Sequence, residues 1–184
     1  VKTYTIGIVG CGFIGEVHAF CHHNLRYFFR DIPFTTKITH VCTSRVETAA
    51  AAQALTGASV ATCDYRQITE SPDVDIVHIC TPNHLHAEAL LSAMAHGKPI
   101  YCDKPLVANL AEARRIEAAL PSYRATSQMT FQNRFFPSAM RARQLIEAGH
   151  LGKILEFRVT FLHASNANPA APLKWKLRAD AGGG

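Results

Sequence analysis

Apolar residues in the first two thirds of the chain fall into two alternating patterns. Short continuous runs are YTIGIVG (4–10), KITHVCT (37–43), DIVHICT (75–81) and KPIYCD (98–103). They are rich in Ile and Val, and each ends in turn or capping residues. Such runs predict strands buried on both faces, as in a parallel sheet. Between them lie stretches of helical period, roughly 13–29, 46–55, 84–95 and 109–120. Strand and helix in alternation predict a doubly wound α/β domain. ASVAT (58–62) and RATSQMTF (124–131) are candidates for further short strands, and 64–70 for a short helix.

The pattern then changes. In LEFRVTF (155–161), Leu155, Phe157, Val159 and Phe161 alternate with Glu156, Arg158 and Thr160. Period-two alternation predicts a strand with one buried face. A boundary is therefore expected near Pro121-Ser122, giving domains at 1–122 and 123–184. The second part shows one helix, about 137–148, closed by Gly149, then that strand and a loop rich in Asn, Ala and Pro. One helix and one strand cannot enclose a core. The expectation is the start of a larger domain, cut short here or paired through its unfinished sheet. No internal repeat is visible.

Composition narrows the function classes. The chain has 184 residues, 48% hydrophobic and 18% charged, enough for one core and part of another. Nineteen basic against fourteen acidic residues leave +5. The basic residues are scattered and not interleaved with aromatics, which suits an anionic ligand and argues against nucleic acid. No apolar run approaches the length of a membrane span, and no signal-peptide layout is present. The six cysteines, Cys11, Cys21, Cys42, Cys63, Cys80 and Cys102, include no CxxC pair. Their usage predicts a reduced, cytoplasmic protein, not a disulfide framework or zinc site. His18 and His22 are four apart on a helix, a possible ligand pair. Without further ligands at suitable spacing they are expected to pack or face solvent, and no metal is expected.

Candidate chemistry gathers where the strands end. In GIVGCGFIGEVHAF (7–20), Gly10, Gly12 and Gly15 have GxGxxG spacing between a strand and a helix. Gly10 permits the tight turn, Gly12 lets a pyrophosphate approach, and Gly15 lets the helix pack on the strand. The phosphates would rest on the N–H groups of Phe13, Ile14 and Gly15. At the second strand end an acidic residue would bond ribose hydroxyls, but Thr43, Ser44 and Arg45 stand there. Two hydroxyls and a guanidinium match a 2′-phosphate, so NADP is favoured over NAD. Thr43 and Ser44 also qualify as caps of the next helix.

CTPNHLHAE (80–88) closes the third strand. Cys80, Thr81, Pro82, Asn83 and His86 would lie beside the cofactor, with Thr81 and Asn83 as cap candidates. His84 and His86 are open to a catalytic or a packing role. CDKPL (102–106) ends the fourth strand. A partly desolvated Lys104 could serve as acid or base, with Asp103 holding it and Pro105 fixing a turn that is open to a cis bond. The alternative is a solvent-facing turn lysine.

GCGFIG, CTPNHLHAE and DKP, in that order and spacing, resemble the glucose-fructose oxidoreductase / inositol dehydrogenase / rhizopine catabolism family of NAD(P)-dependent oxidoreductases. QNRFFPSAMRARQLIEAGHLGKILEFR and KWKLRADAGGG extend the resemblance over almost the whole chain. It implies a Rossmann domain followed by an α+β domain with a mostly antiparallel open sheet, which commonly mediates homo-oligomers. It also implies hydride transfer between a nicotinamide and a hydroxyl or carbonyl of a sugar, cyclitol or related small molecule. Lys104 matches the catalytic lysine of the family's EKP motif, of which DKP is a variant. Asp103 and Pro105 match its neighbours, Asn133 and Arg134 a polar pair near nicotinamide and substrate, and Trp175 a residue near the cofactor. The family's further catalytic Asp and His follow the triple glycine and have no counterpart here, so this chain alone is expected to be nearly inactive. The competing reading is a binding module that senses NAD(P) without turnover; a methyltransferase or flavoprotein does not account for the three motifs together.

Overall fold

A computed structural model describes residues 1–164 and 167–179. Val1–Thr130, joined by the segment from Trp175, form one compact unit, and Phe131–Lys174 a second. The first unit is a six-stranded sheet with helices on both faces. Its strands are β1 (Lys2–Val9), β2 (Phe34–Cys42), β3 (Val60–Thr62), β4 (Ile76–Ile79), β5 (Ile100–Cys102) and β6 (Ser127–Met129). All pairings are parallel, in the order β3-β2-β1-β4-β5-β6. The direction of winding reverses between β1 and β4, which defines a topological switch point.

The helices are α1 (Phe13–Phe28), α2 (Val46–Thr56), α3 (Arg66–Thr69), α4 (His86–Ala95) and α5 (Leu110–Ala119). Strand alternation divides the core in two. Ile6, Ile8, Ile38 and Val41 pack with Ala19 of α1 and Ala52 of α2. Val9, Val77, Ile79 and Ile100 pack on the other face with Leu90 of α4 and Ile116 of α5. Alanine-rich α2 lets that helix lie close to the sheet. At the N-terminus of α5, Asn109 accepts a hydrogen bond from the Glu112 N–H (3.0 Å), and Glu112 accepts one from the Ala108 N–H (3.0 Å).

The sheet's amino edge is heavily fastened. The Asp75 carboxylate accepts from the Thr5 N–H (2.8 Å) and hydroxyl (2.9 Å). Lys98 donates to the carbonyls of Ser71 and Val74, and the Tyr123 hydroxyl donates to Lys98 O (2.8 Å).

β6 pairs with β5, so the first unit runs to Thr130, beyond the boundary expected at 122/123. A strand that completes a sheet belongs to that sheet. The second unit holds a 3₁₀ turn (Gln132–Phe135) and α6 (Pro137–Glu147), with Pro137 in its first turn. The strand expected over 155–161 is not formed, and no strand occurs among the described residues of this unit. Leu155 and Phe157 are more than 80% exposed. Period-two patterning supplies a face, but a strand also needs an edge to pair with, and no described residue of this unit offers one.

Candidate functional site

Four turns stand side by side along the sheet's carboxyl edge. The Gly10 N–H donates to Cys42 O, Cys80 N–H to Val9 O and Asp103 N–H to Ile79 O, each at 2.8 Å. The turns after β2, β1, β4 and β5 are thereby fixed in that order. Three strand spacings make the row about 14 Å long.

The glycine turn is built as its spacing predicts. Gly10 has φ +90°, and a Cβ there would lie 2.7 Å from Cys80 C and Thr81 N. A Cβ on Gly15 would lie 2.2 Å from Gly10 O, so α1 sits directly on the turn. A Cβ on Gly12 would meet nothing within 4 Å, so the space beside it is open. No side chain caps α1, and its first bond runs from Glu16 N–H to Gly12 O. The N–H groups of Phe13, Ile14 and Gly15 are left for an outside acceptor at the positive helix end. That is the cradle an anionic pyrophosphate requires.

After β2, the Thr43 hydroxyl turns inward, donating to Arg45 O (3.0 Å) and lying 2.7 Å from Thr48 Oγ1. Arg45, not Thr43 or Ser44, occupies the N-cap position of α2, and no side chain caps that helix. The capping role is therefore not taken. Ser44 and Arg45 are exposed at the end of the row, free to meet a ligand.

After β4, Cys80 points inward, with Sγ 3.2 Å from His18 Nδ1. Burial pushes its thiol well above the usual range, and the Asp103 carboxylate adds to this, so it stays protonated. Pro82 leads into a 3₁₀ turn, Asn83–Leu85, before α4 begins. The Thr81 and Asn83 side chains do not cap these helices. Among the described residues, Thr81 Oγ1 is the buried side-chain oxygen left without a partner. An orphaned hydroxyl beside an open glycine turn fits a ligand that supplies the missing bond. His86 lies wholly buried beneath the loop, so its imidazole holds backbone instead of facing the groove.

After β5, Lys104 is exposed, and its amine has no hydrogen-bond or ion-pair partner among the described residues. The Lys104–Pro105 bond is cis. Asp103 does not hold Lys104; its Oδ1 accepts from the Thr130 hydroxyl (2.7 Å). Thr130 was not singled out from sequence. Its signal is a polar residue closing β6 directly beside the DKP turn.

The histidines of α1 form a cluster that sequence spacing could not show. His18 Nδ1 lies 2.9 Å from His78 Nδ1, and His22 Nε2 lies 3.3 Å from His78 Nε2. His22 Nδ1 reaches the Thr36 hydroxyl (3.0 Å), and the Tyr101 ring packs on His18 and His78. Burial keeps all three imidazoles neutral, lowering His22 to about 4, with its histidine neighbours adding to the effect. No group of described residues is arranged to hold a metal. In the second unit Asn133 and Arg134 are exposed on the 3₁₀ turn. Trp175 is half-buried and grouped with the first unit, and Lys176 lies over its ring at 5.8 Å.

A switch point, an open glycine turn and an uncapped helix above it define an NAD-binding Rossmann domain. The chain belongs to the GFO_IDH_MocA family, described as "Oxidoreductase family, NAD-binding Rossmann fold", whose model matches residues 4–131. It is 33% identical to a levoglucosan dehydrogenase of Pseudarthrobacter phenanthrenivorans, over 97% of this chain and 46% of that protein. It is 30% identical to inositol 2-dehydrogenase 4 of Saccharopolyspora erythraea, over 91% of this chain and 46% of that protein. A structure of levoglucosan dehydrogenase complexed with NADH superposes with a TM-score of 0.93 at 33% identity, covering 98% of this chain and 48% of that one. An NAD binding oxidoreductase from Klebsiella pneumoniae gives 0.90 at 32% identity, covering 100% and 48%. The chain spans about half the length of the curated relatives it matches.

Proposed function

We propose that the protein is an NAD(P)-dependent oxidoreductase acting on a CH–OH group of a sugar, cyclitol or related polyol. The observation that carries this is the row of turns: an open cradle at Gly12, a hydroxyl at Thr81 and an exposed amine at Lys104, both without a partner among the described residues, at adjacent strand ends. The relatives named for levoglucosan and inositol support the substrate class. Bound in this row, a nicotinamide supplies a two-electron hydride acceptor or donor. Gly12, Phe13, Ile14 and Gly15 hold the pyrophosphate, and Cys80–Asn83 flank the nicotinamide half. Lys104 binds the reacting oxygen and exchanges its proton, as cation stabilising negative charge and as amine accepting it.

Ser44 and Arg45 favour NADP. Arg45 pairs bidentately with a 2′-phosphate, and neither residue offers the carboxylate that would bond a bare ribose. The levoglucosan dehydrogenase structure contains NADH, so the two preferences are separable by experiment. The protein works in the cytoplasm as a homo-oligomer assembled through its second domain.

The test is fluorescence titration with NADPH and NADH, then a panel of sugars and cyclitols as substrates. Tighter NADPH binding, lost in Arg45→Ala, and polyol-dependent turnover are expected. NADH preferred in both proteins would reject the NADP assignment. Tight binding without turnover on any polyol would favour a sensor.

A further inference from the structure

Two of the four turns, those carrying Thr81 and Lys104, are joined by one buried side chain. His86 opens α4 and is 0% exposed. Its Nε2 lies 2.7 Å from Thr81 O. Its Nδ1 lies 2.9 Å from Pro105 O and 3.3 Å from Leu106 O. Carbonyl oxygens accept hydrogen bonds and cannot donate them. A bond at both ends therefore requires a hydrogen on both ring nitrogens. The Cys102 thiol, 3.7 Å from Nδ1, lies closer to Asp103 O (3.3 Å) and donates there. Three carbonyl dipoles thus converge on one ring.

Packing alone does not call for this arrangement. An apolar ring would fill the same volume but tie neither carbonyl. The ladder between β4 and β5 ends at Ile79–Cys102, with one more bond from the Asp103 N–H to Ile79 O. Beyond it the two backbones leave the sheet, and His86 spans them.

We propose that His86 is a positioning residue for the nicotinamide half of the site: bridging Thr81 O and Pro105 O, it sets the spacing between the Thr81 hydroxyl and the Lys104 amine. This rests on the oxidoreductase reading above. Strand order puts the adenosine half at β2 and the nicotinamide half at β4 and β5, so His86 governs one half of the ligand and not the other.

The first test is the ¹⁵N spectrum of the histidine-labelled chain, with the His86 signals identified by their loss in His86→Gln or His86→Phe. One-bond N–H coupling on both ring nitrogens is expected, and a bare nitrogen overturns the bridge. The second compares wild type with both variants for binding of the preferred dinucleotide and of its nicotinamide-free part, ADP-ribose or 2′-phospho-ADP-ribose. A loss of about tenfold for the dinucleotide and less than about twofold for the shorter ligand is expected from severing one buried bridge. Equal losses, or no loss, overturn the positioning role, since a general loss of structure would weaken both ligands alike. If wild type binds neither dinucleotide, the oxidoreductase reading and the positioning role fall together, and the nitrogen couplings still decide the bridge.

Discussion

Mild acid is expected to loosen the Rossmann domain, and His22 sets the scale. Its value in the folded chain is about 4 against 6.5 in the unfolded chain. Between those values the unfolded state binds more protons, so stability is full above about 6.5 and falls as the pH drops toward 4. At pH 5 the linkage relation gives a loss of about 2 kcal/mol from His22 alone, relative to pH 7. For a domain of this size that lowers Tm by about 5–8 °C. His18 and His78 shift in the same direction and deepen the fall, although Asp103 partly supports a charged His18. Asp75 is held below the usual carboxylate range by Thr5 and Glu88 by Arg115, so neither titrates in this window. The assay is thermal unfolding of wild type and His22→Gln at pH 7, 6 and 5. The variant is less stable at pH 7 but loses less between pH 7 and 5. An identical pH-dependent drop in both proteins, or none in wild type, would refute the account.

Two glycines separate stability from binding. Gly15→Ala drives a methyl into Gly10 O and is expected to cost several kcal/mol or prevent folding, read by urea denaturation. Gly12→Ala has open space, so Tm should change little while dinucleotide affinity falls at least about tenfold, read by fluorescence titration. Thr81→Val removes a buried hydroxyl that has no partner, so the free protein should hold or gain stability while nicotinamide-nucleotide binding weakens. Asn109→Ala removes the cap of α5 and should cost about 1 kcal/mol in denaturant titrations without altering cofactor affinity.

The parallel sheet was legible because its central strands are buried on both faces, and burial of that kind leaves continuous runs such as ITHVC and IVHIC in the sequence. The glycine turn was legible for a related reason: the positive φ of Gly10 and the close approach of α1 at Gly15 follow from local backbone geometry. Tertiary crossings left no such trace. His78 sits inside an apolar run, and its partners His18 and His22 are about sixty residues away on α1. Periodicity shows that such residues face inward but not which imidazole meets which. Thr130 escaped notice for the same reason, since its tie to Asp103 depends on β6 lying beside β5. LEFRVTF shows the converse. A pattern can specify which side of a strand is apolar while pairing depends on another edge.

The stitching of Thr5, Asp75, Lys98 and Tyr123 at the amino edge has an engineering consequence. It keeps the sheet in register from beneath, so the segments at 43–45, 80–83 and 103–105 sit on a floor that does not depend on them. If the proposed function holds, short grafts at those three places are a route to new cofactor or substrate choice in a scaffold whose foundations stay untouched.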